Sequence, residues 1–148
     1  MRKAFSMLTA IFVIVLMATV AAFILNLSGK MVKGTIAQFQ REQSVLLAKS
    51  YTEYAIMAVT ANEHNTSNCL NNISGIAILG STYQIDANIS YIGNNLDASC
   101  RTLDNTVVTP KSPLNIIVDV FVSYRDLDHP DPTNAPWITY HKRTLQKI

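Results

Sequence analysis

The sequence predicts an α+β chain, with one long N-terminal helix, its first half apolar enough to cross a membrane, packed on a small antiparallel β-sheet. Three observations carry that prediction. No charged residue stands between Lys3 and Lys30. The chain then stays helix-compatible to about Asn62, with neither Pro nor Gly between Thr35 and Ala61. Beyond it, two segments alternate residue by residue, Tyr83–Ile92 and Asn115–Tyr124. A helix followed by strands rather than alternating with them is the α+β pattern.

The first element is a membrane span. From Phe5 to Leu27 the polar side chains are Ser6, Thr9, Thr19 and Asn26. Ser and Thr can return a hydroxyl proton to the preceding helical turn, so they cost little in lipid. At about 1.5 Å per residue the run is long enough for the roughly 30 Å hydrocarbon layer. Arg2 and Lys3 precede it, and the positive-inside rule keeps them cytoplasmic. The expectation is a single-pass protein with its N-terminus cytoplasmic and its C-terminal domain on the outer side of the membrane. Ala18-Thr-Val-Ala21-Ala22 offers a weak small-residue cleavage site, the competing reading as a removable signal peptide. The continuing helix argues for retention.

The second half of the helix is predicted to pack on the sheet through Ile36, Phe39, Leu46, Leu47, Tyr54, Met57, Ala58 and Ala61, spaced mostly by three, four and seven. Gly29 and Gly34 stand where the rod leaves the membrane. Each costs about 1 kcal/mol relative to Ala in a helix interior. They either permit a bend there or are simply tolerated. Lys30 and Lys33 fall at headgroup level.

Asn62–Asn68 is a break of short polar residues that compete for backbone hydrogen bonds. Cys69–Ile78 holds a short helix or a first strand. Tyr83–Ile92 is a half-exposed strand, with Tyr83, Ile85, Ala87, Ile89 and Tyr91 on one face. Gly93-Asn94-Asn95 reads as a turn, and Asp97–Pro113 as mostly irregular. Asn115–Tyr124 is the strongest strand, and Trp137–Leu145 the last. The expected divisions are 1–4 leader, 5–28 membrane helix, 29–62 periplasmic half of the helix, and 63–148 β-rich globular part.

Bulk composition narrows the function classes. With 148 residues less a membrane span, there is room for one small domain. A formal net charge of +2 demands no polyanionic partner. Cys69 and Cys100 lie outside the membrane on this topology, and an even count in an oxidising compartment favours a disulfide. Closing that loop would stabilise by roughly 3–4 kcal/mol in the chain-entropy model.

Arg2-Lys3-Ala4-Phe5-Ser6-Met7-Leu8-Thr9, followed by a Val/Ile/Ala-rich helix, resembles the class III signal of type IV pilins and type II secretion pseudopilins. The resemblance covers the N-terminal third; the remainder agrees in architecture. It implies cleavage by a prepilin peptidase between Ala4 and Phe5, N-methylation of Phe5, and a retained helix that is both anchor and assembly core. Implied partners are other pilin-like subunits, the peptidase and an inner-membrane assembly platform. Two departures stand out. The family's fifth mature residue is usually Glu, and Thr9 occupies that assembly-register position, unable to cancel a neighbour's N-terminal charge. The family's helix-melting Pro is missing, with Asn26 and Gly29 in that region. Both point to a minor or specialised subunit of a secretion, pilus or DNA-uptake (competence) machine. The rival from another class is a membrane-anchored periplasmic binding domain that is never processed.

Other constellations are sparser. Asp126, Asp128, Asp131 and Asn134 gather hard oxygen ligands of the kind calcium takes, and some pseudopilins bind calcium in a C-terminal loop. The Gly and bidentate Glu of an EF-hand are absent, and Asp and Pro are ordinary turn formers, so a solvated hairpin loop competes. Glu63-His-Asn65-Thr-Ser67 and Asp86-Ala-Asn88-Ile-Ser90 both resemble the acidic extended sequon of certain bacterial oligosaccharyltransferases, which marks Asn65 and Asn88 for glycosylation. The cations available for a DNA partner are few: Arg101, Lys111, Lys142, Arg143 and Lys147. No nucleophile–base arrangement, phosphate-cradling glycine loop or paired-carboxylate motif is present in the sequence, so the expectation is a non-enzyme without an obligate cofactor.

Overall fold

A computed structural model of the chain describes residues 2–62, 69–77, 83–108, 114–126, 129–131 and 133–148, the side chains of 2–6 and 76–77 excepted. The element order is α1 (Arg2–Ala61), β1 (Asn72–Ala77), β2 (Tyr83–Gly93), β3 (Thr102–Asp104), β4 (Leu114–Arg125) and β5 (Trp137–Lys147). The chain divides into two compact units, Met1–Gln38 and Phe39–Ile148.

The first unit is helix. Its polar side chains behave as the apolar run requires. Thr19 Oγ1 donates to Leu16 O at 2.8 Å, Asn26 Nδ2 to Ala22 O at 3.5 Å, and Thr35 Oγ1 to Met31 O at 2.9 Å. These three donors return to the helix's own carbonyls, which lowers their cost in an apolar surrounding. Large apolar residues from Met7 to Val32 are exposed all round, and by length and composition this helix is able to cross a membrane.

The second unit joins the end of α1 to a five-stranded sheet. The strand order is β1-β2-β4-β5, with every neighbour on that path antiparallel. Short β3 pairs parallel to β2 through Tyr91 and Ile92. Because β4 occupies one side of β2 along its whole length, β1 and β3 share the other side. The alternation read from the sequence is the alternation of the sheet: Tyr83, Ile85, Ala87, Ile89 and Tyr91 of β2 and Ile116, Val118, Val120, Val122 and Tyr124 of β4 are buried. Residues opposed to them are partly or fully exposed, apart from Ser90 and Asp119.

The helix stripe expected to face the sheet does so only in part: Leu47 packs against the core, and Ile36 and Ala58 are half-buried. Phe39, Leu46, Tyr54 and Met57 are 60%, 68%, 53% and 63% exposed. The residues that bury against β2 and β4 are Gln40, Ser44, Ala48, Thr52, Ala55 and Val59, also three and four apart. The physical reason is volume. Two tyrosines and a row of Ile and Val already fill the sheet side, and only a helix face of small side chains fits against them at interior density. The polar members are satisfied internally: Thr52 Oγ1 donates to Ala48 O at 2.6 Å and Ser44 Oγ to Arg41 O at 2.7 Å. Gln40 reaches across to the sheet, its Nε2 donating to Arg125 O at 2.9 Å. Half-buried Leu47, Tyr51 and Ile56 flank the seam. Gly75 of β1 exists for one of them, because a Cβ at that position would collide with the Tyr51 hydroxyl and sit 3.0 Å from its Cζ.

The expected first strand is β1, starting at Asn72. The turn predicted at Gly93 comes slightly later: Gly93 still pairs with Leu114, Asn94 bridges to Thr106, and Asn95 takes the left-handed conformation at φ 57° that Asn tolerates. β3 was not expected, since three residues are too few to show a period.

Candidate functional site

Three features hold chemistry or surface of interest: the apolar outer side of α1, the disulfide clasp at the edge of the core, and the solvent face of the sheet.

Within the Phe39–Ile148 unit, Phe39, Leu46 and Met57 recur on α1 at intervals of seven and eleven, about half a turn from the Ala48–Ala55 seam at 100° per residue. That spacing makes a narrow stripe of large apolar groups with no cover in the isolated chain. An exposed stripe of this kind is suited to a second helix. Phe5 and Ala4 lie in α1, where their side chains are outside the described residues, and Thr9 lies on an exposed turn of the same helix.

The disulfide joins Cys69 to Cys100 across 31 positions, with Cα atoms 5.0 Å apart. The polar groups around it form a clasp. Asn71 Nδ2 donates to Ser99 O at 2.8 Å, while Asn71 Oδ1 accepts from Arg101 N at 2.8 Å. Tyr91 Oη donates to Leu70 O at 2.7 Å, and burial pushes its phenol above the ordinary value. The bridge thus fastens the approach to β1 onto the loop before β3. Asn71 and Tyr91 were not singled out from the sequence; Asn71 looks like any loop Asn until Ser99 and Arg101 are brought beside it.

On the solvent face, β4 and β5 build a ladder of matched side chains. Asp119 is nearly buried and accepts from Arg143 Nε at 2.7 Å and Nη2 at 2.9 Å, and it meets His141 Nε2 at 2.7 Å. The Arg143 fork holds the Asp119 carboxyl below the usual carboxylate range, against the upward push of its own desolvation. His141 stacks flat on Phe121, ring centroids 4.4 Å apart. Ser123 and Thr139 share a hydrogen bond at 2.9 Å, and Arg125 lies over the Trp137 ring at 4.8 Å. These pairs follow the β4–β5 register, in which Asp119 opposes Arg143 and Phe121 opposes His141.

The acidic loop closes on itself. Asp131 Oδ1 accepts from Thr133 Oγ1 at 2.6 Å and Thr133 N at 3.1 Å, and Oδ2 accepts from Asn134 Nδ2 at 2.6 Å. Those donors, Thr133 first, hold the Asp131 carboxyl below its ordinary range. His129 N donates to Asp126 O at 3.4 Å. Asp128 lies outside the described residues. Among the described residues no three His, Cys, Asp or Glu side chains gather where one ion would reach them. Of the two sequons, Asn65 lies outside the described residues, as does Lys111 of the scattered cations. Asn88 is half-buried on the solvent face of β2, its Oδ1 accepting from Asn72 Nδ2 at 3.0 Å.

No protein family, curated protein or solved structure matches this chain. The architecture, a long N-terminal apolar helix followed by an antiparallel sheet, is compatible with a pilin-like fold, and the helix is suited to serve as a membrane anchor.

Proposed function

We propose that this chain is a membrane-anchored, pilin-like subunit of an envelope assembly, a minor subunit of a secretion, pilus or DNA-uptake machine. One observation carries the reading. α1 exposes large apolar side chains from Met7 to Val32 and again at Phe39, Leu46 and Met57, while the buried seam against its own sheet is mostly small or polar (Gln40, Ser44, Ala48, Thr52, Ala55, with Val59), flanked by half-buried Leu47, Tyr51 and Ile56. A helix that served only its own domain would turn its bulk inward.

The action is mechanical. The N-terminal helix rests in the bilayer, where its exposed apolar surface costs nothing. On assembly it leaves the bilayer and exchanges lipid contact for contact with neighbouring helices. Thr9, in place of the family's Glu, donates or accepts a hydrogen bond without neutralising a neighbouring N-terminal amine. That fits a subunit present at few copies rather than the repeating body of a filament.

Mass spectrometry of the N-terminal peptide from native membranes tests the reading. A mature chain beginning at N-methyl-Phe5 supports it. A chain beginning at Met1 supports the anchored binding domain instead, and one beginning beyond Ala21 removes the helix from the mature protein. Val15→Glu places a charge near the middle of the span, costing about 2–4 kcal/mol of insertion free energy. Incorporation into the assembly is expected to fail while the Phe39–Ile148 unit stays folded.

A further inference from the structure

We infer that the β1 edge of one copy pairs with the β5 edge of a second copy, so that neighbouring subunits share a continuous sheet. The inference rests on the assembly reading above and adds a contact that does not involve the N-terminal helix.

Strand direction carries the argument. Among the described residues the sheet ends on β1 and β5. Three antiparallel steps separate them, so they run in opposite directions. Two copies whose long helices point the same way therefore bring β5 against β1 antiparallel, the pairing the sheet already uses. Pairing like with like, β5 on β5, would in that orientation be parallel. The contact is thus head-to-tail and does not close on a pair, so a short run of a few copies satisfies it.

The hydrogen-bonding groups agree. Ile89 N donates to Asn71 O at 2.9 Å, which fixes the alternation of the β1–β2 ladder. The backbone amides of Asn72 and Ser74 then point to the open edge. Ile148 N donates to Leu114 O at 3.0 Å, and by the same alternation Arg143 and Leu145 present the outward amides of β5. Setting Ser74 opposite Arg143 places Asn72 opposite Leu145, with all four on the solvent face of the sheet.

Charge selects the partner. β5 carries Lys142, Arg143 and Lys147 and no acid, the usual guard of an edge against indiscriminate pairing. β1 carries neither charge nor proline. In the register above, Arg143, whose Nε and Nη2 are held by Asp119 of its own chain and whose Nη1 is not, lies one strand from Asp86, the exposed carboxylate that opposes Ser74 on β2. Lys142, on the helix side of β5, falls opposite Gly75, beside an open cleft of about 380 Å³ lined by Ser50, Tyr51, Tyr54, Ile73 and Ser74. Two tyrosine rings there suit an ammonium group. The β1 edge therefore answers the guard of β5 with an acid and an aromatic cleft.

The test uses full-length chains in native membranes. Asn72→Cys and Leu145→Cys are expressed separately and together, then treated with a short bismaleimide, which leaves the Cys69–Cys100 bridge intact. A crosslinked dimer is expected in the co-expressed sample and in neither single variant. Ser74→Pro removes an outward amide without touching the β2 ladder. In the Asn72→Cys chain it is expected to abolish the dimer at unchanged melting temperature, and Asp86→Arg to lower the yield several-fold. Product from either single variant alone, or none in the mixture, overturns the inference. Processing at Phe5 and the Val15→Glu defect are read separately, so a missing crosslink beside both refutes the edge contact and leaves helix-mediated assembly standing.

Discussion

Exchanging the two faces of α1 separates what holds the domain together from what the domain offers to others. Ala48 is fully buried against β2 and β4, and Leu46, two positions earlier, is exposed. Ala48→Leu adds three carbons where no space remains, and overpacking of that kind costs about 1–3 kcal/mol. For a unit of this size each kcal/mol lowers the melting temperature by roughly 4 °C, so a fall of about 4–12 °C is expected. Leu46→Ala removes the same three carbons from an exposed helical site, where Ala is the better helix former, and its effect lies within about 0.5 kcal/mol. Thermal unfolding of the detergent-solubilised chain, followed by circular dichroism, reads both. The same variants then separate in the membrane, where Leu46→Ala weakens assembly and Ala48→Leu weakens the fold. The reasoning fails if the two stabilities come out reversed, with Leu46→Ala costing the roughly 2–5 kcal/mol of a buried truncation. That result would place the bulky stripe against the sheet.

Further predictions concern the sheet and its clasp. Replacing both Cys69 and Cys100 with Ser is expected to cost roughly 3–4 kcal/mol, matched by reduction of the wild-type bridge before a urea titration. Gly75→Ala is expected to cost about 1–2 kcal/mol through the clash with Tyr51, and Tyr51→Phe to restore part of it, which a double-mutant cycle measures. Asp119 bears on acid stability. Its folded carboxyl titrates below the unfolded one, so its stabilisation is complete above the unfolded value near pH 3.9 and is lost as pH falls through the lower folded value. Arg143 is largely exposed, which limits the contribution to about 1 kcal/mol. Asp119→Asn is expected to lower the melting temperature at pH 7 and to converge on wild type once the pH has fallen below the folded carboxyl's lowered value.

Much of this architecture is legible in one dimension because it repeats along the chain. Period two in Tyr83–Ile92 and Asn115–Tyr124 reports a sheet with one buried face, whatever it packs against. The uncharged run from Ala4 to Gly29 reports a membrane-competent helix from length alone. The two cysteines have no other partners to choose from. The ladder on the solvent face is different. Asp119 reads as a polar residue on a polar face, and nothing near it in sequence announces Arg143 and His141, which arrive from 24 and 22 positions away through the β4–β5 register. The acidic loop reads either as ligands for an ion or as a solvated hairpin loop, and only the folded loop shows Thr133 and Asn134 holding the carboxylate of Asp131.

The sequence by itself determined that α1 would be long, that its first half would suit lipid, and where the principal strands would lie. These follow from local covalent geometry and periodicity. Which side of α1 meets the sheet was decided by the tertiary structure alone. Two stripes both fit the helical period, the bulky Phe39, Leu46 and Met57 at intervals of seven and eleven and the mostly small Gln40–Val59 seam at three and four. Hydrophobicity favours the first; only the volume already occupied by Tyr83, Tyr91 and the Ile and Val of β2 and β4 selects the second. The bulky stripe is left exposed as a consequence.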